Sequence, residues 1–257
     1  MRPSPRHDDA SAGTVIATHI NADFDALASM LAAQKLYPEA RVVFPGSQEK
    51  NLRNFFISSL VYLFNMTDIQ SIDLDRVKRL VLVDTRQAGR IGKLAALVGR
   101  PDVEIHVYDH HPAGEADIRG SLEVCEPTGA TVTLLVEAIR ERSVDLTPDE
   151  ATIMCLGLYE DTGAFTYPST TERDLLAAAF LLSKGANLNV VSDLIARELN
   201  HEQVALLNDM IQAAHRLNIN GVEVVVTSIS REAYIPDFAF LVQKMAKMEN
   251  MDVIFAL

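Results

Sequence analysis

Leu80–Gly92 reads LVLVDTRQAGRIG, an unbroken apolar run that stops on an aspartate and passes into a glycine-marked turn. A strand with no polar alternation has both faces covered, as in a parallel sheet buried between helices. The same pattern recurs outward from it. Val15-Ile16-Ala17-Thr18 leads to His19 and a helical stretch from Phe24 to Leu36, and Arg41–Phe44 is a strand closed by Pro45-Gly46. A helix is expected from Gln48 to Phe64, a strand over Val103–Tyr108, and a helix from Thr128, its expected N-cap, to Glu141. Thr147-Pro148-Asp149-Glu150 opens the next helix, towards Tyr159, with a Thr cap, Pro in the first turn and acids at the positive dipole end. This alternation predicts an α/β domain: a parallel sheet with helices on both faces.

Further helices are expected from Thr171 to about Leu217. Asn220-Gly221 is a turn signal, and a strand over Val222–Ile229, a helix over Pro236–Glu249 and a strand over Val253–Leu257 follow. These read as the start of a second, smaller α/β domain. The expected organisation is a disordered leader over 1–13, a main domain over 14–200, a linker helix over 201–220 and a truncated C-terminal domain over 221–257. The bare apolar end predicts that a longer polypeptide continues beyond it.

Composition excludes several classes. Thirty-five acids against 23 bases leave a formal charge of −12, unsuited to duplex DNA, where affinity comes from neutralised phosphates. No apolar run approaches the roughly 18 residues of a membrane span. Cys125 and Cys155 are the only cysteines, too few for a disulfide framework, and the N-terminus lacks an apolar signal core; the cytoplasm is the expected compartment.

Three apolar runs end in side chains that bind metals: His19, Asp23 and Asp25 in THINADFDALAS, Asp84 in LVLVDTRQAGRIG, and Asp109, His110 and His111 in HVYDHHP. Ligands of open parallel sheets gather beyond the carboxyl ends of the strands. Asp161, in GLYEDTGAF, is the expected fourth contributor. Each piece has a plain alternative: Asp23 and Asp25 as helix caps, Asp84 as a turn former, His19 as an ordinary hydrogen-bonded residue. The conjunction at three strand ends favours a shared cleft. So many carboxylates repel unless protonated or neutralised by cations. Oxygen and imidazole without thiolate suit Mn²⁺ or Mg²⁺, with Zn²⁺ and Co²⁺ as further candidates, and the ligand count suits two ions.

On these motifs the chain resembles the DHH phosphoesterase superfamily, named for the triplet Asp109-His110-His111, over about residues 14–190. The runs FPGSQEKNLRNFF and EPTGATVTLLVE look closest to the DHH module of bacterial proteins that continue into CBS domains and a poly(A) polymerase or tRNA nucleotidyltransferase unit. The resemblance implies a first ion held by His19, Asp23 and Asp84. It implies a second held by Asp25, Asp84, His110 and Asp161, with Asp84 as the bridge. His111 would sit beside the scissile phosphate and Asp109 would orient a histidine. The implied activity is phosphoester hydrolysis of short single-stranded oligoribonucleotides or small nucleotides, with two Mn²⁺ ions (or Mg²⁺) and a hydroxide shared between them, and His110, His111 and Asp84 as the catalytic group.

Asn21-Ala22 and Ala28 depart from the family pattern without removing a ligand. The glycine-rich, histidine-bearing nucleotide loop of nucleolytic relatives is absent before Leu257. Arg90 is a candidate phosphate clamp or a structural ion-pair partner. Ser47, Lys50 and Arg53, near a helix start, are weaker phosphate candidates. Thr128-Gly129-Ala130 could turn backbone N–H groups to the cleft or cap a helix. The 162–171 stretch is a candidate lid. His7, His106, His201 and His215 are assigned to surface or packing, and Cys155 to a helix core. A manganese-type inorganic pyrophosphatase and a non-catalytic RNA- or nucleotide-binding module are the alternatives. The helices between Thr171 and Leu217, or a further domain, offer a surface for a homodimer.

Overall fold

The computed structural model describes residues 13–46, 63–195, 199, 201–230, 235, 238–249, 251 and 253–257. It divides into two compact units, residues 1–196 and 197–257.

In the first unit, β1 (Thr14–Ala17), β2 (Arg41–Val43), β3 (Arg79–Val83), β4 (Glu104–Asp109) and β5 (Leu122–Cys125) form one parallel sheet in the order β2-β1-β3-β4-β5. Successive residues alternate between its faces. Ile16, Val81, Val83 and Tyr108 pack into one core, and Val15, Ala17, Leu80, Leu82 and Val107 into the other. On the first face lie α1 (Phe24–Leu36), α2 (Thr131–Glu141), α3 (Pro148–Asp161), α4 (Glu172–Ser183) and α5 (Leu188–Ile195). On the second, among the described residues, the cover is short 3-10 turns, with Ile91, Leu94 and Leu97 buried against the strands.

Helix α1 is buried from Phe24 to Ala33, because it lies between the sheet and α3. Its alanines and the glycine of α3 allow a close approach: a Cβ on Gly157 would lie 2.6 Å from Ala28 Cβ and 3.0 Å from Asp25 Cα. Helix α3 carries the expected Thr147 cap, and the structure extends it to a capping box, with the Thr147 hydroxyl accepting from Glu150 N and Glu150 accepting from Thr147 N.

Several expectations need correction. Strand β5 has no counterpart in the sequence reading. Helix α2 begins at Thr131 with Ala130 as N-cap rather than Thr128, whose hydroxyl donates to the Ala130 carbonyl instead. Residues 201–220 are not a linker helix. They divide into α6 (His201–Gln212) and β6 (His215–Ile219), both part of the second unit. There β6 pairs antiparallel with β7 (Val222–Thr227), and β7 pairs parallel with β8 (Ile254–Ala256), covered by α6 and α7 (Phe238–Glu249). Asn220 and Gly221 both have positive φ, 54° and 88°, as a two-residue hairpin turn demands, and that pairing draws residues 215–219 into a strand. The helix expected over Gln48–Phe64 lies almost entirely outside the described residues, as do Ser47, Lys50, Arg53 and His7.

Candidate metal centre

The strand order reverses between β1 and β3, and open sheets of this topology bind ligands beyond the strand ends at that point. The loop after β1 carries His19, Asp23 and Asp25; β3 ends at Asp84; β4 ends at Asp109, followed by His110 and His111. Asp161 is the last residue of α3. Asp84 sits in the left-handed region, φ 58°, with its N–H bonded to the Tyr108 carbonyl, so the chain turns sharply as it leaves β3.

The structure brings His19, Asp23, Asp25, Asp84, His110 and Asp161 together. Ligand atoms of His19, Asp23 and Asp84 lie within 4.8 Å of one another, as do those of Asp25, His110 and Asp161, and those of Asp84, His110 and His111. His19 Nε2 is 3.2 Å from Asp84 Oδ2 and 3.9 Å from Asp23 Oδ2. His110 Nε2 is 3.3 Å from Asp161 Oδ2 and 3.8 Å from Asp84 Oδ1. Asp84 thus touches both sets.

The tautomers suit cations. His19 Nδ1–H donates to the Ile20 carbonyl at 2.7 Å and His110 Nδ1–H to the Thr128 carbonyl at 3.0 Å. Each ring therefore turns Nε2 towards the carboxylates, the usual support behind a metal-binding histidine. With imidazole and carboxylate donors only, the cluster fits hard or borderline divalent ions.

The capping and ligand readings of the aspartates prove compatible. Asp23 caps α1 through Oδ1, accepting from Ala26 N, while its Oδ2 faces His19. Asp25 caps a different helix: its oxygens accept from Thr131 N at 2.8 Å and Val132 N at 3.0 Å at the start of α2. Two residues absent from the sequence reading join here. Thr131 Oγ1 donates to Asp84 Oδ1 at 2.9 Å, and Glu160 Oε2 accepts from Phe24 N at 2.7 Å. A threonine entering a helix looks like an ordinary cap, so no local signal marks Thr131.

Burial and mutual repulsion push two of the carboxylates up, while histidine holds Asp84 down. Burial, then the neighbouring Asp84, pushes Asp23 up to about 6. Burial, then Asp84 and Asp161, lifts Asp25 well above the carboxylate range. Asp84 is lowered: burial alone would raise it, but the hydrogen bond and charge of His19 outweigh that. Burial pulls His110 down, yet Asp161, Asp25 and Asp84 together raise it to about 10.

His111 lies at the rim, 46% exposed, with Nδ1–H donating to Asp109 Oδ1 at 2.7 Å, which raises its pKa. Asp109 is fully buried; Arg86 Nε sits 3.1 Å from its other oxygen and 3.2 Å from Asp117 Oδ2, and Arg86 also donates to the His111 carbonyl. Arg90 lines a recess of about 50 Å³ with Arg86, Gln87 and His111, while its carbonyl accepts from Ile20 N. The 162–171 stretch, read as a lid, is wound on Thr162, whose carbonyl accepts from Thr166 N and Tyr167 N. His106 accepts or shares a proton with the Tyr37 hydroxyl at 2.8 Å, and Cys155 is buried in α3.

The DHH family N-terminal domain matches residues 13–158, more than half of the chain. The chain belongs to the DHH family. It is 46% identical over 241 residues to an A-adding tRNA nucleotidyltransferase of Geobacter sulfurreducens, covering 94% of this chain and 27% of that protein. It is 29% identical over 194 residues to the bifunctional oligoribonuclease and PAP phosphatase NrnA of Mycoplasma genitalium, covering 74% of this chain and 58% of that one. The fold is shared with an exopolyphosphatase-related protein from Bacteroides fragilis, at TM-score 0.72 and 18% identity, over 93% of this chain and 74% of that one. The DHH chain thus spans about a quarter of the length of the nucleotidyltransferase that it matches, and resembles its DHH module. Among the described residues, no helix is long and apolar enough to cross a membrane.

Proposed function

We propose that this DHH domain hydrolyses phosphoester bonds of short single-stranded oligoribonucleotides or small nucleotides, using two divalent cations, with Mn²⁺ as the native pair. The observation that carries the reading is the arrangement around Asp84. His19 and Asp23 stand on one side, Asp25, His110 and Asp161 on the other, and one carboxylate reaches both. When bound, the cations supply Lewis-acid charge stabilisation and acidify water at neutral pH. The protein's own part is positioning. Carbonyls behind His19 and His110 fix which ring nitrogen faces the cleft, and helix N-termini hold Asp23 and Asp25. His111, aligned by Asp109, presents Nε2 towards a phosphoryl oxygen and donates a hydrogen bond to it. Arg90, beside His111, holds a second phosphate oxygen through its planar fork.

The test is hydrolysis of a dinucleotide panel, a 3′,5′-bisphosphate nucleotide and pyrophosphate, with and without Mn²⁺. Cation-dependent turnover of the nucleotides, with pyrophosphate slower, is expected; no turnover of any of them removes the proposal. The 46% identity to an A-adding enzyme favours a second reading, a substrate-holding module of a larger RNA-modifying protein. That reading predicts RNA affinity that survives Asp84→Ala, whereas the hydrolase loses both cations and turnover.

A further inference from the structure

Asp174 lies outside the cluster and is fully buried. It is the third residue of α4, and its carboxylate accepts four hydrogen bonds. Thr171 N, at 2.7 Å, is the capping-box bond of its own helix, and Thr171 Oγ1, also at 2.7 Å, donates to the same oxygen. The other two come from elsewhere: Thr133 Oγ1 at 2.5 Å and Gly129 N at 2.9 Å. A capping role explains the first pair and leaves the second unexplained.

Those last two donors flank the segment that holds the inner ligands from behind. The Thr128 carbonyl accepts from His110 Nδ1, Thr131 N and Val132 N donate to Asp25, and Thr131 Oγ1 donates to Asp84. Gly129 is pressed onto Asp174: a Cβ there would lie 2.8 Å from Asp174 Oδ2 and 2.7 Å from Cγ2 of Thr162, the residue after Asp161. His19 and Asp23 have their own supports, the Ile20 carbonyl and the start of α1.

We infer that Asp174 is a positioning residue for one of the two cations, fixing residues 128–132 so that Asp25 and His110 converge with Asp161. The inference rests on the two-cation reading above. Three of the four bonds fall on Oδ2 and one on Oδ1. An asparagine can keep its oxygen towards Gly129 and Thr171 and turn its N–H₂ to the Thr133 hydroxyl, which also accepts, whereas an alanine leaves the buried Gly129 N–H without its acceptor.

The experiment is a Mn²⁺ titration of the cation-free protein by calorimetry and by paramagnetic resonance of the free ion. Asp23→Asn and Asp161→Asn, each removing one triad, tell the two sites apart. Wild type must bind two ions; fewer than two would refute the two-cation reading itself. Asp174→Ala is expected to weaken the Asp25/His110/Asp161 site on the order of 10- to 100-fold, with the other site changing far less. Equal weakening of both sites, or none, overturns the inference. Should that variant not fold, Thr133→Val, which removes one donor and keeps the carboxylate, is measured instead. A smaller loss confined to the same site is then expected, and unchanged affinity at both sites would overturn it.

Discussion

Asp23→Asn should make the cation-free protein more stable while weakening its response to cations. At pH 7.5 the ion-free cluster holds Asp23, Asp25, Asp84 and Asp161 against each other. Asp23, raised from 3.8 to about 6 by burial and then by Asp84, is ionised there at a cost. The full rise is worth roughly 3 kcal/mol at about 1.4 kcal/mol per tenfold. Burial is its larger cause and the Asp23 side chain is 31% exposed, so solvent screens the share due to Asp84 to about 1 kcal/mol. That penalty is absent below pH 3.8, grows as pH rises to about 6 and is constant above. Geometry favours asparagine as well. At this N-cap position its Oδ1 still accepts from Ala26 N, and its N–H₂ takes the place of the oxygen that faces His19 Nε2. A gain near 1 kcal/mol corresponds to roughly 2–4 °C in a chain of this size. Thermal unfolding in chelator, repeated with millimolar Mn²⁺, is the assay. Wild type should gain several degrees with the ion and Asp23→Asn fewer. A variant that melts well below wild type in chelator, or that keeps the full Mn²⁺ response, would refute the reasoning.

The acidity of His110 sets a pH dependence. Raised to about 10, it must release a proton to offer Nε2, so cation binding at pH 7 should expel protons and tighten as pH rises towards 10; calorimetry in two buffers of different ionisation heat should give different apparent enthalpies, and equal ones would contradict this. In the ion-free protein the His110 contribution to stability is full below pH 6.5 and lost as pH passes 10. Gly157→Ala forces a methyl against Ala28 Cβ and the backbone of Asp25, and should cost about 1–3 kcal/mol in urea unfolding. Cation affinity should fall with it, because α1 carries Asp25 away from Asp161. Arg90→Ala, at the recess beside His111, should raise KM about tenfold or more with kcat nearly unchanged and Mn²⁺ affinity intact.

The parts of this design legible in the sequence are those written locally. The apolar runs ending at Ala17, Val83 and Tyr108-Asp109 announce strands, and the ionisable residues just after them announce a cleft, because strands of a parallel sheet end on one side. The Thr147-Pro148 start and the Asn220-Gly221 turn were also readable, since cap and hairpin chemistry lie within a few residues. What escaped is tertiary. Helix α2 has no cap of its own because Asp25, over a hundred residues earlier, supplies it, so the local sequence points to Thr128 as its start. Strand β5 is three half-buried residues and the exposed Glu123, too short and polar for a periodicity signal. His215–Ile219 continues a helical pattern and is a strand only because β7 folds back on it. Asp174 had a partial signal, the Thr-x-x-Asp of a capping box, but nothing nearby reveals that its carboxylate also serves Gly129.

Backbone amides hold Asp23 and Asp25 in place. Their orientation is therefore a product of folding, completed before any ion arrives, and the apoprotein should be a rigid receptor and not a chain waiting for a template. Such a receptor takes what the surroundings deliver. Which divalent ion such a cradle would hold is then decided as much by supply as by the cradle, and exchanging one ion for another would demand no refolding.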